Sequence, residues 1–202
     1  KLSKYEAPIA EVILEDLSNE ALELYRTKAE ITPKVNSKEF HRLLRQLGLL
    51  GGEANAPTPT GFGVLLFGKE PRNVAPQAGL LARAELADGK SSRKEFRDAM
   101  VQIPRQLEKW LETVFPSTID RSRMERREHV DLPFEVIREA VVNALIHRDY
   151  NLTGQKCQLV VDANTITVKS PGGPIPPITL DQMRSFVVPI KSRNPILHYV
   201  FA

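Results

Sequence analysis

Apolar residues recur every three to four positions in two early stretches of the chain, which is the spacing of an amphipathic helix. The pattern predicts a helix over residues 19–30, with Ser18 as its N-cap, and a second helix that begins after Ser37. Gly48 is expected to end the second helix, because glycine readily adopts the left-handed backbone that follows a helix C-terminus.

The next part of the chain alternates between turn-forming and apolar stretches. GGEANAPTPTG, residues 51–61, is predicted to be a loop by its composition. FGVLLFG, residues 62–68, is a short apolar run bounded by glycine and a turn-like segment, and it predicts a buried strand. AGLLARAEL, residues 78–86, predicts a second strand that the turn ADGKSS ends.

The second half of the chain is predicted to hold two helices and a hairpin. A long helix is predicted over residues 95–115, in which Pro104 marks either a kink or the start. RSRMERREHVDLP, residues 121–133, is polar and is predicted to be a loop or an edge strand. A helix over Phe134–His147 and a β-hairpin over residues 158–169 complete the pattern, and a glycine–proline loop follows.

This order of elements indicates an α+β fold rather than strict βαβ alternation. With 202 residues and a net charge of +3, the chain is long enough for one good core and is too weakly basic to argue for nucleic acid by charge alone. No apolar run approaches the roughly 18 residues of a membrane helix. A single cysteine excludes an internal disulfide, so we expect a cytoplasmic protein, and the chain is expected to be a piece of a longer one.

The helix predicted over Phe134–His147 is apolar on most of its surface, yet it carries a narrow polar stripe. Glu139, Asn143 and His147 recur at intervals of four, so their side chains lie one above another. Because the flanking positions are apolar, the stripe is expected to line a cleft. Asn143 offers a neutral oxygen suited to Mg²⁺, and Glu139 is placed to activate a water that attacks a phosphoryl group. The alternative is a surface helix whose stripe is simply solvated.

A glycine-rich loop adds to this candidate site. The second strand of the predicted hairpin leads into Ser170 and then into the pair Gly172 and Gly173. Glycine lets a backbone approach a ligand closely or adopt a positive φ, although an ordinary turn explains the pair as well. GxGxxG and GxxxxGKS/T, the two commonest nucleotide fingerprints, do not occur in the sequence.

Several cationic residues have two interpretations each. His147 and Arg148 either contact a phosphate or a partner, or complement the C-terminus of their helix, with Asp149 pairing with Arg148. Residues 191–194 either cap a helix that starts at Pro195 or touch phosphates. The second helix is explained by amphipathic packing or by DNA contact of a winged-helix type, through Lys38, His41, Arg42 and Arg45.

The combination of PFEVIREAVVNALIHRDYN, ITVKSPGGPIPP and SRNPIL resembles the C-terminal part of RecG-like transcriptional regulators. PTPTGFGVLLFGKEP and LLRQLGLL are similar to the middle segment and helical connector of that family, so the resemblance covers nearly the whole chain. In the family an Alba-like, Schlafen-type DNA-binding domain precedes a GHKL-type ATPase-like domain. The resemblance implies a helical connector over residues 1–52 and, over residues 53–202, a Bergerat-type two-layer α/β sandwich with a mixed sheet, incomplete at its C-terminus.

The resemblance also implies a function and its ligands. It implies a nucleotide-binding regulatory module that takes ATP and Mg²⁺, with slow ATPase activity when intact, and DNA contact through an upstream domain. In GHKL proteins the equivalent helix supplies the water-activating glutamate and the Mg²⁺-binding asparagine, which are Glu139 and Asn143 here. The residues expected to contact the nucleotide are Asn143, His147, Ser170, Gly172 and Gly173. Helicase activity is excluded for this chain, since it has no Walker motif.

Two departures from the GHKL pattern leave an alternative open. GHKL proteins carry Asp-x-Gly-x-Gly after the strand that follows the helix, and the aspartate reads the adenine amino group. Ser170 stands in place of that aspartate and Pro174 in place of the last glycine, and no later glycine-rich lid is visible. The alternative is a nucleotide-free scaffold or homodimerisation domain of a DNA-binding regulator.

Overall fold

The fold is α+β, as the sequence predicts. A computed structural model describes residues 4–53, 55–86, 89–115, 134–162, 164–185, 187 and 191–201. These residues contain seven α-helices, a two-stranded sheet and a four-stranded mixed sheet. In the same part of the chain no helix has the length and apolar character needed to cross a membrane.

The first two helices begin where serine caps predict. The Oγ of Ser18 accepts a hydrogen bond of 3.3 Å from a backbone amide in α1 (Asn19–Lys28). The Oγ of Ser37 does the same at 3.2 Å for α2 (Lys38–Gln46). Gly48 has a φ of +73°, which confirms the predicted end of the second helix. The first helix ends at Lys28 and is therefore shorter than the helix predicted over residues 19–30.

A β-hairpin replaces the loop predicted over residues 51–61, so that prediction is wrong. Strands β1 (Leu50–Glu53) and β2 (Ala56–Pro59) pair antiparallel. The Arg45 side chain at the end of α2 donates to the carbonyl of Gly52 at 2.8 Å and supports the ribbon. Composition failed here because glycine and proline are tolerated in a short two-stranded ribbon, whose ladder depends on backbone pairing rather than on side chains.

The apolar run predicted to be a strand is a helix, and this prediction is also wrong. Helix α3 (Gly61–Phe67) is buried along its whole length. Thr60 caps it, because its Oγ1 accepts from the backbone amide of Gly63 at 3.2 Å. A Cβ at Gly63 would lie 2.2 Å from the carbonyl oxygen of Leu49, so the helix packs against the preceding backbone where only glycine fits. A fully buried short segment has no periodicity that separates helix from strand.

The larger sheet holds four strands in the order β4-β3-β5-β6. Strand β3 pairs antiparallel with β4 and parallel with β5, while β5 and β6 form an antiparallel hairpin. The predicted strand over residues 78–86 and the predicted hairpin are confirmed. Strand β4 was assigned to a turn and to the start of the long helix, which is wrong. The strands are β3 (Leu80–Glu85), β4 (Ser91–Phe96), β5 (Cys157–Val161) and β6 (Ile166–Lys169).

Two helices pack against this sheet and against each other. Helix α4 (Ile103–Val114) contacts β4, and α5 (Phe134–His147) contacts β5 and β6. Pro104 lies in the first turn of α4, so it marks a start and not a kink. The bounds of α5 are those predicted. The face of α5 that points into the core carries Ile137, Val141, Ala144 and Leu145.

The last described segments lie beside α5. Helix α6 (Leu180–Arg184) is short and exposed, and α7 (Pro195–Phe201) contacts α3 and α5. One cluster of buried apolar residues runs through the described chain from Tyr5 to Leu197. The predicted loop or edge strand over residues 121–133 lies outside the described residues. The division at residues 52/53 stays a prediction.

Candidate functional site

The polar stripe of α5 is present, and two of its members, Glu139 and Asn143, contact each other. The Nδ2 of Asn143 donates a hydrogen bond of 2.9 Å to Oε1 of Glu139. Both side chains are exposed. The contact uses the amide nitrogen of Asn143, so its oxygen keeps its lone pairs for another ligand. The roles predicted for these two residues stay predictions.

The third member of the stripe has a different environment. His147 is half-buried and lines a cavity at the C-terminal end of α5. Burial lowers the pKa of its imidazole, and the neighbouring charges of His198 and Arg193 lower it further. His147 therefore holds a proton less readily than a solvent-exposed imidazole does.

The glycine loop is joined directly to α5, as the candidate site requires. The Oγ of Ser170 donates to the carbonyl oxygen of Ala144 at 2.7 Å, and the amide of Asp149 donates to the carbonyl of Pro171 at 2.8 Å. Gly172 has a φ of +127°, and a Cβ there would lie 3.0 Å from the Cβ of Asp149. Gly173 has no such restriction, because a Cβ added there meets nothing within 4 Å.

A cavity of about 640 Å³ opens between the end of α5, the glycine loop and α7. Its volume is in the range of small-molecule and cofactor sites. His147 and Gly173 line it together with apolar residues such as Ile178 and Met183. Glu139 and Asn143 are not among its described lining residues. The structure thus brings His147 and the glycine loop together around one cavity and leaves the carboxylate–amide pair outside it.

The two sequence motifs that carry the family resemblance contact each other at this cavity. Nη1 of Arg193, in SRNP, lies 3.2 Å from Oδ2 of Asp149, in HRDYN, and Nη2 of Arg193 donates to the carbonyl of Gly173 at 2.6 Å. The Nδ2 of Asn194 donates to the carbonyls of Ile146 and Arg148 at 2.6 and 2.9 Å, where α5 ends. Sequence reasoning named both motifs but missed their contact. The opposite charges of Asp149 and Arg193 were the available signal.

Arg148 is not among the described lining residues of the cavity, which counts against the interpretation that it contacts a phosphate there. Its side chain is fully buried, and its guanidinium donates to the carbonyls of Asp149, Leu152 and Gln155 at 2.8, 2.9 and 2.6 Å. The predicted pair of Asp149 with Arg148 is also wrong, because the carboxylate of Asp149 binds Arg193. Arg148 instead fixes the turn that follows α5. Tyr150, two residues further along this turn, is buried as well.

Cys157 does not qualify as a nucleophile. Its side chain is buried at the start of β5, and its Sγ lies 3.4 Å from the carbonyl oxygen of Ala144. Burial raises the pKa of the thiol to about 11, so the reactive thiolate is scarce at neutral pH.

Side chains that could hold a metal ion are found at the polar stripe of α5. The described residues contain no cluster of three or more His, Cys, Asp or Glu side chains arranged for a metal ion. The exposed pair of Glu139 and Asn143 supplies hard oxygen atoms, which fits a Mg²⁺ ion that keeps several waters and binds its nucleotide as well.

The cationic face of α2 is partly used inside the protein. Arg45 donates to the carbonyls of Gly51 and Gly52 in the hairpin that follows, while Lys38 and Arg42 are exposed. The predicted DNA contact there stays a prediction.

Comparison with known proteins supports the fold only. No protein-family model and no curated protein matches the chain. Among solved structures, the chain is similar to the crystal structure of the DIP2311 protein from Corynebacterium diphtheriae, with a TM-score of 0.65 and 23% sequence identity. The match covers 100% of this chain and 38% of that chain. The α+β arrangement is therefore shared with a solved structure in which it forms a minor part.

Proposed function

We propose that the chain is a nucleotide-binding regulatory module of the kind found in RecG-like transcriptional regulators. The observation that carries the proposal is the cavity between α5, the glycine loop and α7. Its lining combines apolar side chains with the cationic residues Lys191, Arg193 and His198, which suits a ligand with a planar body and phosphates. The GHKL fold implied by the resemblance is part of the proposal.

The carboxylate–amide pair supplies the chemistry in this proposal. Bound Mg²⁺ would neutralise phosphate charge and orient the phosphates for attack. In this proposal the amide oxygen of Asn143 would hold the metal, and the carboxylate of Glu139 would take a proton from the attacking water. Because Nδ2 of Asn143 donates to Glu139 at 2.9 Å, the two groups orient each other. Hydrolysis by this arrangement makes the module a slow ATPase.

Calorimetric titration with Mg-ATP tests the proposal. We expect saturable binding, and we expect Asn143→Ala to weaken it about tenfold or more, in line with losses seen when metal-site residues are removed. Asn73→Ala is a matched control, because Asn73 is exposed and lies outside this site. Unchanged affinity in Asn143→Ala would show that the metal-binding role is wrong.

A nucleotide-free scaffold or dimerisation domain is the second candidate. The observation that favours it is the hydrogen bond from Ser170 to Ala144, which gives the residue in the adenine-reading position a structural role. Thermal melting separates the candidates, since Mg-ATP at 100 times its Kd should add about 2.7 kcal/mol of stability. Absence of a shift, together with a dimer in sedimentation, would favour the scaffold. A salt-dependent affinity of this chain for duplex DNA would instead indicate direct DNA contact.

A further inference from the structure

The cavity beside α7 has a largely apolar wall that the described fold leaves open. Ile175, Ile178 and Met183 line one side of it, and Tyr199 lines another. Met183 is 49% exposed and Tyr199 is 71% exposed, although both are large apolar or aromatic side chains. Such a surface is suited to the planar or apolar body of a small ligand.

Four side chains with a basic group line the cavity. Lys191, Arg193, His147 and His198 line it, and no carboxylate occurs among its described lining residues. Asp149 offsets only Arg193, at 3.2 Å. The Nζ of Lys191 donates to the carbonyl of Pro176 at 3.2 Å and forms no ion pair with any described carboxylate. Lys191 therefore gives the cavity a positive charge that no carboxylate among the described residues neutralises.

The segment that carries two of these cations has unused hydrogen-bonding groups. The Oγ of Ser192 and the Nε of Arg193 are buried and have no hydrogen-bond partner among the described residues. Buried polar groups without partners are rare in folded proteins and often mark a site where another group binds. Both residues follow Lys191 directly in the sequence. Residues 191–193 therefore carry one charge without a described ion-pair partner and two buried polar groups without a described hydrogen-bond partner.

We infer that this cavity binds a phosphate-bearing ligand with an apolar or aromatic body, and that Lys191 and His198 bind the phosphate directly, without a divalent cation. The ligand body packs against Ile178, Met183 and Tyr199. The inference rests on the proposed function for the nature of the ligand. It differs in what neutralises the charge of the phosphate, which is protein side chains and not a metal ion at Asn143. Glu139 and Asn143, outside the described lining, are not required for this binding.

The test uses ATP and inorganic pyrophosphate, each titrated in EDTA, with Lys191→Gln and His198→Gln as variants. Lys191 and His198 are exposed, so neither change should affect folding. We expect metal-free binding in the wild type and a loss of about tenfold in Lys191→Gln, the size of one lost charge-assisted hydrogen bond. His198→Gln should also weaken binding, because it removes the second side chain that is assigned to the phosphate.

Control variants separate this inference from general electrostatics and from the proposed function. Lys38→Gln removes an exposed lysine from α2 and should leave the affinity unchanged. Equal losses in Lys38→Gln and Lys191→Gln would overturn the inference. ATP binding that requires Mg²⁺ and ignores Lys191 would overturn it while leaving the proposed function standing. Lys191-dependent binding of pyrophosphate without binding of ATP would reject the nucleotide and overturn the part of the inference that assigns an apolar or aromatic body to the ligand.

Discussion

Glu95 is a carboxylate that several basic side chains surround. Its carboxylate forms ion pairs with Arg72 and Lys156, and a third with Arg97 at 2.6 Å. The Glu95 side chain is 19% exposed. Hydrogen bonds from Arg72 and Lys156 lower the pKa of this carboxyl from 4.5 to about 2. One side chain on β4 thus ties an early turn and the start of β5 to the edge strand of the sheet.

The protein is expected to lose part of its stability in acid through Glu95. A carboxyl with a depressed folded-state pKa stabilises the protein above its unfolded-state pKa, and this contribution disappears as pH falls through the folded-state value. The window here runs from about pH 4.5 down to about 2. Urea unfolding at pH 6 and pH 3 should show a smaller pH effect in Glu95→Gln than in wild type. Glu112→Gln, an exposed control on α4, should behave as wild type; parallel profiles for all three proteins would contradict the assignment.

The glycine loop is an element in which two adjacent glycines have different reasons to be there. Gly172 needs glycine for its φ of +127° and for its approach to Asp149, whereas Gly173 has open space around it. We expect Gly172→Ala to destabilise the protein by about 1–2 kcal/mol and Gly173→Ala to be nearly neutral. Urea unfolding measures both. Equal effects would show that the loop is held in another way.

The sequence predicts an element well where its signal is local and fails where the signal lies in the surroundings. Helix α5 follows a proline and carries polar residues at intervals of four, and its bounds were predicted correctly. Helix α3 is buried on every side and is therefore apolar at every position. Its sequence lacks the spacing of apolar and polar residues that separates a helix from a strand. Strand β4 is a polar edge strand, SSRKEF, whose identity comes from its pairing with β3. β-propensity depends on such neighbours, and one sequence does not supply them.

The candidate site was predictable to a similar degree. Residues near in sequence were found, since helical spacing placed Glu139, Asn143 and His147 on one stripe. The cavity itself was missed because its other wall comes from residues 191–199, which reach α5 only through tertiary contacts. Neither interpretation of Arg148 included its burial, because that burial depends on carbonyls in the following turn.

At the scale of the whole molecule, the N-terminal helices and the sheet share one core. Phe40 and Leu44 of α2 belong to the same buried cluster as Leu107 of α4 and Leu159 of β5. We therefore expect one cooperative unfolding transition. Fluorescence of Trp110, the only tryptophan of the chain, and hydrogen exchange of the amides in α1 and α2 should give the same free energy of unfolding. Earlier opening of α1 and α2 would instead indicate a domain boundary near the predicted position, at residues 52/53.

The contact of Arg193 with Asp149 has a consequence for biosynthesis. These residues are 44 positions apart, and Asn194 reaches back 48 positions to Ile146. Closing so long a segment costs chain entropy before the contacts compensate for it. A nascent chain emerging from the ribosome can complete its sheet at Lys169 and still lack the ligand cavity. The proposed ligand binding is thus expected only after Arg193 and Asn194 have been synthesised, as a step separate from formation of the sheet.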